Sequence, residues 1–318
     1  MQMEMKEIIQ EVDCKVLEKE LTHDKFLRKT NYGENELYIV THQDSPNVMR
    51  EIGRLRELTF RAAGGGTGKD CDIDAYDTMP NPYKQLIVWE PEAKCILGGY
   101  RFFNCAEAEF NEDGSYKLAT SKLFKFSEKF NKEFLPKIIE LGRSFVIPTH
   151  QSSKGASRLY TLDNLWDGLG AIWVNNPDSD YFFGKVTMYT SYNRKARNLL
   201  LFFLRKYFAD KDNLLSAYDP LDLEFDIEDL NNTFTSNNYE EDYKILSQQV
   251  RANGENIPPL INSYMSLSST MRIFETVINR GFGEVEETAI MVALNDMYEA
   301  KTERHVKSFN KSEQGYRF

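Results

Sequence analysis

The chain changes repeatedly between two hydrophobic spacings, which predict strands and helices in turn. Residues 36–42 alternate apolar and polar side chains, the pattern of a strand. Residues 48–63 carry apolar side chains at helical spacing and end at three glycines, so a helix is predicted there. Two further apolar runs, 84–90 and 95–103, are separated by a short turn and predict a hairpin.

The same alternation continues into the second half of the chain. Residues 137–147 lie between Pro136 and Pro148 and predict a strand, and residues 157–174 predict a helix after the polar loop 149–156. Further strands are predicted at 181–189, 271–277 and 288–294, short helices within 118–136, and longer helices at 193–208, 239–252 and 259–267.

The order of these elements indicates the fold class. Hairpins and crossovers occur together, which predicts an α/β (α+β) fold with a mixed β-sheet flanked by helices. We expect residues 36–318 to form one domain, in which residues 210–318 are an extension that completes the same sheet. Residues 1–35 are expected to be an N-terminal extension.

The composition is that of an ordinary globular protein and excludes several function classes. Of the 318 residues, 41% are hydrophobic, which is enough for a sizeable core, and the net charge is −10. Because binding to nucleic-acid phosphates needs a basic surface, no nucleic-acid partner is expected. The cysteines lack metal-ligand spacing and are expected to be reduced thiols: Cys14, Cys71, Cys95 and Cys105.

The N-terminal sequence and the length of the apolar runs bear on location. The first residues contain neither the apolar segment nor the small-residue cleavage site of a signal peptide. The longest apolar run, residues 199–204, is far too short to cross a bilayer. We therefore expect a cytoplasmic protein, which could still touch the inner membrane at its surface.

The polar loop 149–156 is the first candidate site. A helix N-terminus carries free N–H groups and a partial positive charge, and it binds a phosphate when a glycine lets the backbone approach closely. The alternative is an ordinary helix start in which Ser157 is the N-cap. The candidate phosphate contacts are Gln151, Ser153, Lys154, Gly155, Ala156 and Arg158.

The glycine-rich segment 63–70 is only partly similar to a nucleotide-binding P-loop. The first glycine of that motif is replaced by Ala63, and its final hydroxyl residue is replaced by Asp70. The segment also follows a predicted helix, whereas a P-loop follows a strand. We therefore predict a flexible connector at this position.

The predicted strand 137–147 carries two charged side chains, Glu140 and Arg143. Strict alternation would place Glu140 and Ser144 on one face of the strand and Arg143 on the other. Charges in a central strand are unfavourable unless they are paired. The two residues are therefore either a structural ion pair with neighbouring strands or part of a functional site.

Two further charged groups have a structural and a functional interpretation. Acids in the segment 70–77 could bind Ca²⁺, but the glycine and distal glutamate of a calcium loop are missing, so capping or arginine pairing is favoured. A basic face on the helix 193–208 could receive an acidic partner or a lipid headgroup, or be merely solvated. The acids are Asp70, Asp72, Asp74 and Asp77, and the bases are Arg194, Lys195, Arg197, Arg205 and Lys206.

Several motifs together resemble one known family. The chain resembles the GNAT-superfamily N-acyltransferases that make ornithine lipids and, in Bacteroidetes, glycine lipids. That family is similar to the acyl-homoserine-lactone synthases, and some members carry an old hemolysin label. The matching motifs are Arg54-x-Arg56, Asp72-Ile-Asp74-x-x-Asp77, Gly98-Gly-Tyr-Arg101, Glu140-Leu-Gly-Arg-Ser144-x-Val146-x-Pro148 and Ile257-Pro-Pro-Leu-Ile-Asn-Ser-Tyr264.

The resemblance implies a reaction and a set of roles. The enzyme would move a 3-hydroxy fatty acyl group from acyl carrier protein to the amine of an amino acid such as glycine or ornithine, in aminolipid synthesis. Glu140 would be the general base, with the aspartate loop as its rival, and Arg143 would orient Glu140 or bind the substrate carboxylate. The expected substrate contacts are Arg101, Asp72, Asp74, Asp77, Ser144, Phe145 and Val146.

The resemblance also bears on the acyl donor and the acyl chain. No tightly bound cofactor and no metal are expected, and the acyl group would arrive as acyl-phosphopantetheine on carrier protein or as acyl-CoA. Backbone N–H groups of residues 145–147 could stabilise the developing oxyanion. The candidate lining of an acyl tunnel is Phe102, Phe103, Leu123, Phe124, Phe126 and Trp166.

The chain departs from the family pattern at two points. Lys84-Gln85 stands where the family usually has an acid-His pair, and the phosphate loop contains a single glycine, Gly155. The second departure fits the phosphopantetheine arm of a carrier protein better than coenzyme A. Two alternatives remain open: an acetyl-CoA-dependent N-acetyltransferase, and a non-catalytic GNAT-like module that only binds carrier protein or lipid.

Overall fold

Residues 5–148, 160–221 and 227–318 are described by a computed structural model of the chain. The strands are β1 Phe26–Lys29, β2 Glu36–Val40, β3 Lys84–Glu90, β4 Cys95–Asn104, β5 Phe124–Phe126, β6 Ile138–Val146, β7 Tyr181–Met188, β8 Leu215–Ala217, β9 Arg272–Asn279 and β10 Val285–Ala293. The helices are α1 Cys14–Glu20, α2 Pro46–Ala62, α3 Ala75–Thr78, α4 Thr161–Asn175, α5 Arg194–Phe208, α6 Ile227–Thr233, α7 Tyr239–Ala252, α8 Pro259–Met265 and α9 Glu299–Thr302.

The helix-flanked α/β class predicted from the hydrophobic pattern is confirmed. Strands β2, β3, β4, β6 and β7 and helices α2, α5 and α7 lie where the spacing predicts them. The prediction for residues 118–136 is wrong in part, because β5 forms there and pairs with β8. Strand β1 was not predicted, although its pairing with β2 extends the sheet.

The chain divides into two compact units. The first contains Met1–Glu109, Pro136–Asp180 and Tyr298–Phe318, and the second contains Phe110–Leu135 and Tyr181–Met297. The domain assignment made from the sequence stays a prediction. Within the described residues, no helix is long and apolar enough to cross a membrane.

The first unit is built on an antiparallel sheet with the order β1-β2-β3-β4-β6. Strand β3 is buried along almost its whole length, because helix α4 packs against it. Gly168 makes this close approach feasible, since a Cβ atom there would lie 2.6 Å from Leu86 Cδ2. Three of the predicted acyl-tunnel residues, Phe102, Phe103 and Trp166, are buried in this unit.

The second unit combines an antiparallel β7-β10-β9 sheet with the short β5-β8 pair. Strands β9 and β10 come from the C-terminal segment 210–318 and extend the sheet from β7. Ring contacts between Phe126, Phe130 and Phe183, at centroid distances of 4.9 to 6.0 Å, form an aromatic core. The other tunnel candidates, Leu123, Phe124 and Phe126, belong to this unit.

Candidate active site

The pairing between β4 and β6 is interrupted by a bulge. Gly99 lies opposite Phe145, but the next registered pair is Arg101 with Gly142, so two residues of β6 face one residue of β4. The two residues that face the single residue Tyr100 are Arg143 and Ser144. Arg143 has a φ of 50°, a left-handed backbone conformation that is uncommon for a residue with a side chain. Bulges of this kind re-aim a side chain and are frequent next to active sites.

The bulge turns the Arg143 side chain toward an aspartate loop. Its Nε atom lies 2.9 Å from Asp72 Oδ2, and its Nη2 atom lies 3.3 Å from Asp72 Oδ1 and 3.8 Å from Asp74 Oδ2. Asp74 is also the partner of Arg101 on β4, so the two arginines share one carboxylate. The face predicted for Arg143 by strict alternation is therefore wrong, because the extra residue breaks the alternation.

Arg101 lies in the centre of the aspartate loop. Its Nη1 atom donates to Asp74 Oδ1 at 2.9 Å and Oδ2 at 2.8 Å, and lies 3.4 Å from Asp77 Oδ1. Asp74 also begins α3 with a capping box, in which its side chain accepts from the backbone N–H groups of Tyr76 and Asp77. The acids therefore cap a helix and pair with arginines, as the sequence predicted in preference to calcium binding.

A third arginine, Arg56 of α2, belongs to the same cluster. Its Nη1 atom lies 3.3 Å from Asp77 Oδ2, and its Nη2 atom donates to Gln85 Oε1. Gln85 in turn donates to Asp77 Oδ1 at 3.0 Å and to the carbonyl oxygen of Tyr83 at 3.0 Å. Burial lowers the pKa of Arg56, while Asp77 and Asp72 favour its charged form. Three guanidinium groups thus face three carboxylates.

The electrostatics of this cluster determine which acid can accept a proton. Burial alone would raise the pKa of Asp74, but the charges of Arg101, Arg143 and Arg56 together lower it far below its ordinary value. A carboxylate held so firmly in its charged form is a poor proton acceptor. Asp72 and Asp77 are buried and face arginines as well.

Glu140 occupies a different environment beside the cluster. Its side chain is buried, and its Oε2 atom accepts a hydrogen bond from the Tyr83 hydroxyl. The Tyr83 ring stacks on Phe103 at 4.8 Å, and the Arg101 guanidinium lies 5.0 Å from the ring centre. Burial and the neighbouring Glu140 carboxylate raise the pKa of Tyr83 well above its ordinary value, so the phenol keeps its proton and remains a donor.

This site lies within a segment that matches a known domain. Residues 55–161 match the family model described as "Acetyltransferase (GNAT) domain". The glycine N(alpha)-acyltransferase of Phocaeicola vulgatus is 57% identical over 308 residues, which cover 96% of this chain and 94% of that protein. The chain belongs to the GNAT family of acyltransferases. It is therefore an acyltransferase enzyme, and its α/β sheet flanked by helices is the GNAT-like fold expected from the sequence.

A second curated relative agrees with this assignment. The glycine N(alpha)-acyltransferase of Bacteroides thetaiotaomicron is 55% identical over 309 residues, covering 97% of this chain and 92% of that protein. Among solved structures, the acyl-homoserine-lactone synthase LasI is 15% identical with a TM-score of 0.35, and covers 59% of this chain and 83% of its own. The CoA-dependent acyl-homoserine-lactone synthase BjaI is 15% identical with a TM-score of 0.32. The match covers 48% of this chain and 67% of the BjaI chain.

Several predicted contacts of the GNAT domain can be followed in the structure. Ser144 and Val146 are half-buried at or near the bulge, and Phe145 is buried. Of the backbone donors expected for an oxyanion, the N–H of Ile147 donates to the carbonyl oxygen of Leu97 at 3.0 Å and is engaged in the sheet. The six predicted phosphate contacts, Gln151, Ser153, Lys154, Gly155, Ala156 and Arg158, lie outside the described residues.

The glycine-rich segment after α2 connects this helix to the aspartate loop. The carboxylate of Glu57, which is fully buried, accepts from Thr67 N at 3.0 Å, Thr67 Oγ1 at 2.7 Å and Gly68 N at 2.8 Å. The backbone donors that a P-loop would offer to a phosphate therefore bind a carboxylate of the same chain.

The cationic face predicted on α5 is smaller than the sequence suggested. Arg197 is buried, and its Nε atom lies 3.4 Å from Glu286 Oε2. Lys206 lies 2.7 Å from Asp242, so its charge is paired within the second unit. Arg194, Lys195 and Arg205 are exposed. Two of the five predicted basic residues thus serve the packing of the unit.

The sequence did not single out Tyr83 or Gln85 as site residues. Tyr83 is one of 17 tyrosines and lies in no motif, so only its contact with Glu140 reveals it. Gln85 was noted only as a departure from the family pattern, yet it links Arg56 to Asp77. Arg56 was easier to recognise from the sequence than Tyr83 or Gln85, because an arginine between the apolar residues of a helix is unfavourable without buried partners.

Proposed function

We propose that the enzyme transfers a 3-hydroxy fatty acyl group from acyl carrier protein to the amino group of glycine, forming an amide in aminolipid synthesis. The relatives named glycine N(alpha)-acyltransferase support the acceptor, because they match nearly the whole chain at 55% and 57% identity. The observation that carries the proposal is the buried Glu140–Tyr83 pair next to the half-exposed Arg143. The pair offers a base, and the arginine offers a binding site for a carboxylate.

The reaction requires one proton to leave the amine and one bond to be exchanged. The amine nitrogen attacks the thioester carbonyl, a C–N bond forms, the C–S bond breaks, and the thiolate leaves with the electron pair. We assign the proton of the amine to Glu140, which receives it through a water molecule because the carboxylate is only 1% exposed. We prefer Glu140 to Asp74 as the base, because the arginines around Asp74 outweigh its burial and lower its pKa.

Two arginines compete for the role of carboxylate clamp, and their exposure favours one of them. The side chain of Arg101 is 4% exposed and is held by Asp74 and Asp77. The side chain of Arg143 is 17% exposed, at the same edge of the cluster where Asp74 is 25% exposed. We therefore assign the carboxylate of glycine to Arg143, whose guanidinium can bind it with two parallel hydrogen bonds.

The donor is proposed to be the phosphopantetheine arm of acyl carrier protein, with acyl-CoA as the competing donor. An acidic carrier protein needs a local basic surface on an enzyme of net charge −10, and the exposed Arg194 and Lys195 supply one. Reversing both to Glu should raise the KM for acyl carrier protein, less so at high salt, and leave turnover with a small acyl-thioester nearly unchanged. Unchanged kinetics with the carrier protein would contradict docking at this surface.

Location and domain limits follow as proposals from the same assignment. We place the enzyme in the cytoplasm with peripheral contact at the inner membrane, because its product is an amphiphile. Residues 36–318 are proposed as the acyltransferase domain, in which residues 210–318 are its C-terminal extension. Residues 1–35 are proposed as an N-terminal extension that adds β1 to the sheet.

The proposed function is tested by supplying both donors with a panel of amino acids and identifying the products by mass spectrometry. We expect N-acylglycine from long-chain acyl carrier protein and glycine. Transfer limited to acetyl-CoA would identify an N-acetyltransferase instead. Binding of carrier protein without product, at any amine tested, would identify a non-catalytic module. Preference for ornithine would keep the reaction type and change the acceptor.

A further inference from the structure

A cleft of about 510 Å³ lies within the second unit, at the ends of β7 and β10 and the start of α5. This volume is in the range of sites that bind small molecules. Its charged lining consists of Arg194 and Arg197 from α5, Arg280 and Glu284 from the β9–β10 connection, and Glu286 from β10. The reaction proposed above uses none of the residues of this cleft except Arg194, which was assigned only to a docking surface.

Arg197 and Glu286 form an ion pair in the wall of the cleft, and their opposite charges cancel. The Nε atom of Arg197 lies 3.4 Å from Glu286 Oε2, and the side chains are 5% and 15% exposed. Burial raises the pKa of Glu286, while Arg197 and Arg194 act in the opposite direction. This pair fixes the wall and leaves little net charge of its own.

The two remaining arginines are available to a ligand. Arg194 is exposed and forms no hydrogen bond or ion pair within residues 5–148, 160–221 and 227–318. Arg280 lies 4.0 Å from Asp219, but the two side chains are 68% and 80% exposed, and such a pair contributes little. Against these two guanidinium groups, Glu284 is the one further carboxylate among the lining residues that the structure describes, so this part of the lining is cationic on an acidic protein.

Apart from Thr190, the rest of the lining is aliphatic or aromatic. Leu221 and Ile278 contribute aliphatic surface, and Tyr189 and Tyr192 contribute rings. The Tyr192 hydroxyl already donates to the carbonyl oxygen of Asn256 at 2.9 Å, which fixes the position of its ring. A site with cationic groups and rigid apolar walls suits a ligand with an anionic head and a partly apolar stem.

We propose that this cleft binds an oxyanion carried on a partly apolar stem, with Arg194 and Arg280 as its ligands. The choice of candidate molecules rests on the proposed function. The carboxylate of an N-acyl amino acid and the phosphate of a phosphopantetheine arm share this chemistry. Both molecules belong to the proposed reaction, the first as product and the second as part of the donor.

The test is direct binding by calorimetry, without turnover, of four probes. N-Acylglycine and 4′-phosphopantetheine carry the oxyanion, and N-acylglycine amide and pantetheine are their uncharged counterparts. We compare the wild-type enzyme, the double variant Arg194→Ala/Arg280→Ala, and the control Lys244→Ala, an exposed cation on α7 in the same unit and outside the cleft lining. The altered side chains are exposed, so the variants should fold, which thermal unfolding checks.

We expect the double variant to bind one of the charged probes at least about tenfold more weakly, because it loses charge-assisted hydrogen bonds. The uncharged counterparts should bind weakly to all three proteins, and Lys244→Ala should behave as the wild type. The probe that responds identifies the source of the oxyanion. Equal affinity of the double variant and the wild type for both charged probes overturns the proposal. This result is independent of acyl transfer, so failure of the cleft and failure of the proposed function are separable.

Discussion

The substitution Tyr83→Phe tests whether Glu140 acts as the base. It removes the hydroxyl that donates to Glu140 Oε2 and keeps the ring. The ring stacks on Phe103 at a centroid distance of 4.8 Å, and its centre lies 5.0 Å from the Arg101 guanidinium. A hydrogen bond to a charged group contributes about 1.5–3 kcal/mol. Its loss removes the contact that orients the carboxylate and opens no large cavity.

The magnitude follows from this free energy. About 1.4 kcal/mol corresponds to a tenfold change in rate, so losing the contact that fixes the orientation of the carboxylate should lower kcat by at least about tenfold. The KM for glycine should change little, since the substrate carboxylate is assigned to Arg143.

The control is Tyr38→Phe, which removes another tyrosine hydroxyl bonded to a carboxylate in the same unit. Tyr38 donates to Glu36 at 2.7 Å on β2 and is 9% exposed. We expect a modest loss of unfolding free energy in both variants and a fall in kcat only in Tyr83→Phe. A kcat that stays near the wild-type value in Tyr83→Phe, or falls equally in both variants, would refute the role assigned to the Glu140–Tyr83 pair.

Three further predictions concern the charged residues of the site. Glu140→Gln should lower kcat by about 10²-fold or more, measured with saturating donor, and near-normal turnover would contradict the mechanism. Arg143→Lys should raise the KM for glycine more than the KM for the donor, because lysine cannot form the two parallel bonds. Asp74 has a folded-state pKa below its ordinary 3.8, so its stabilisation is present above that pH and lost as the pH falls toward the folded value. Urea unfolding of Asp74→Asn should therefore show lower stability at neutral pH and a weaker loss toward acid, and a parallel acid loss would contradict this.

The hydrophobic pattern predicted most of the main strands and helices, because the spacing of buried side chains depends on residues that are close in sequence. Strand β6 is a largely apolar run between prolines, and α2 ends at glycines, so both could be located from neighbouring residues alone. The bulge could not be located in this way. Nothing in the run from Gly142 to Ser144 requires a φ of 50° at Arg143, which depends on the register with β4. Strict alternation therefore assigned Arg143 to the wrong face.

The contacts of the site join residues that are far apart in the sequence, and a local sequence pattern does not reveal such pairs. The motifs predicted that the acids and arginines would be paired, since buried charges require partners. They did not predict which residues pair: Arg143 meets Asp72 across 71 positions, and Tyr83 meets Glu140 across 57. The tyrosine belongs to no motif. Residue types with a chemical role were recognisable, whereas the residue that orients the proposed base was not.

The residues of the charged cluster differ in exposure. Some are buried and hold the others in place, and two are partly exposed, where a substrate could reach them. Arg56 and Asp77 are at most 1% exposed, and Arg101 only 4%, so removing one partner would leave an uncompensated buried charge and destabilise the fold by several kcal/mol. Arg143 and Asp74 are the partly exposed pair of the cluster, at 17% and 25%. A substrate carboxylate can reach Arg143 there while Asp72 continues to hold its Nε side. The inner charges thus fix the position of the outer guanidinium, and the bulge on β6 brings it to the side of the sheet where Glu140 lies.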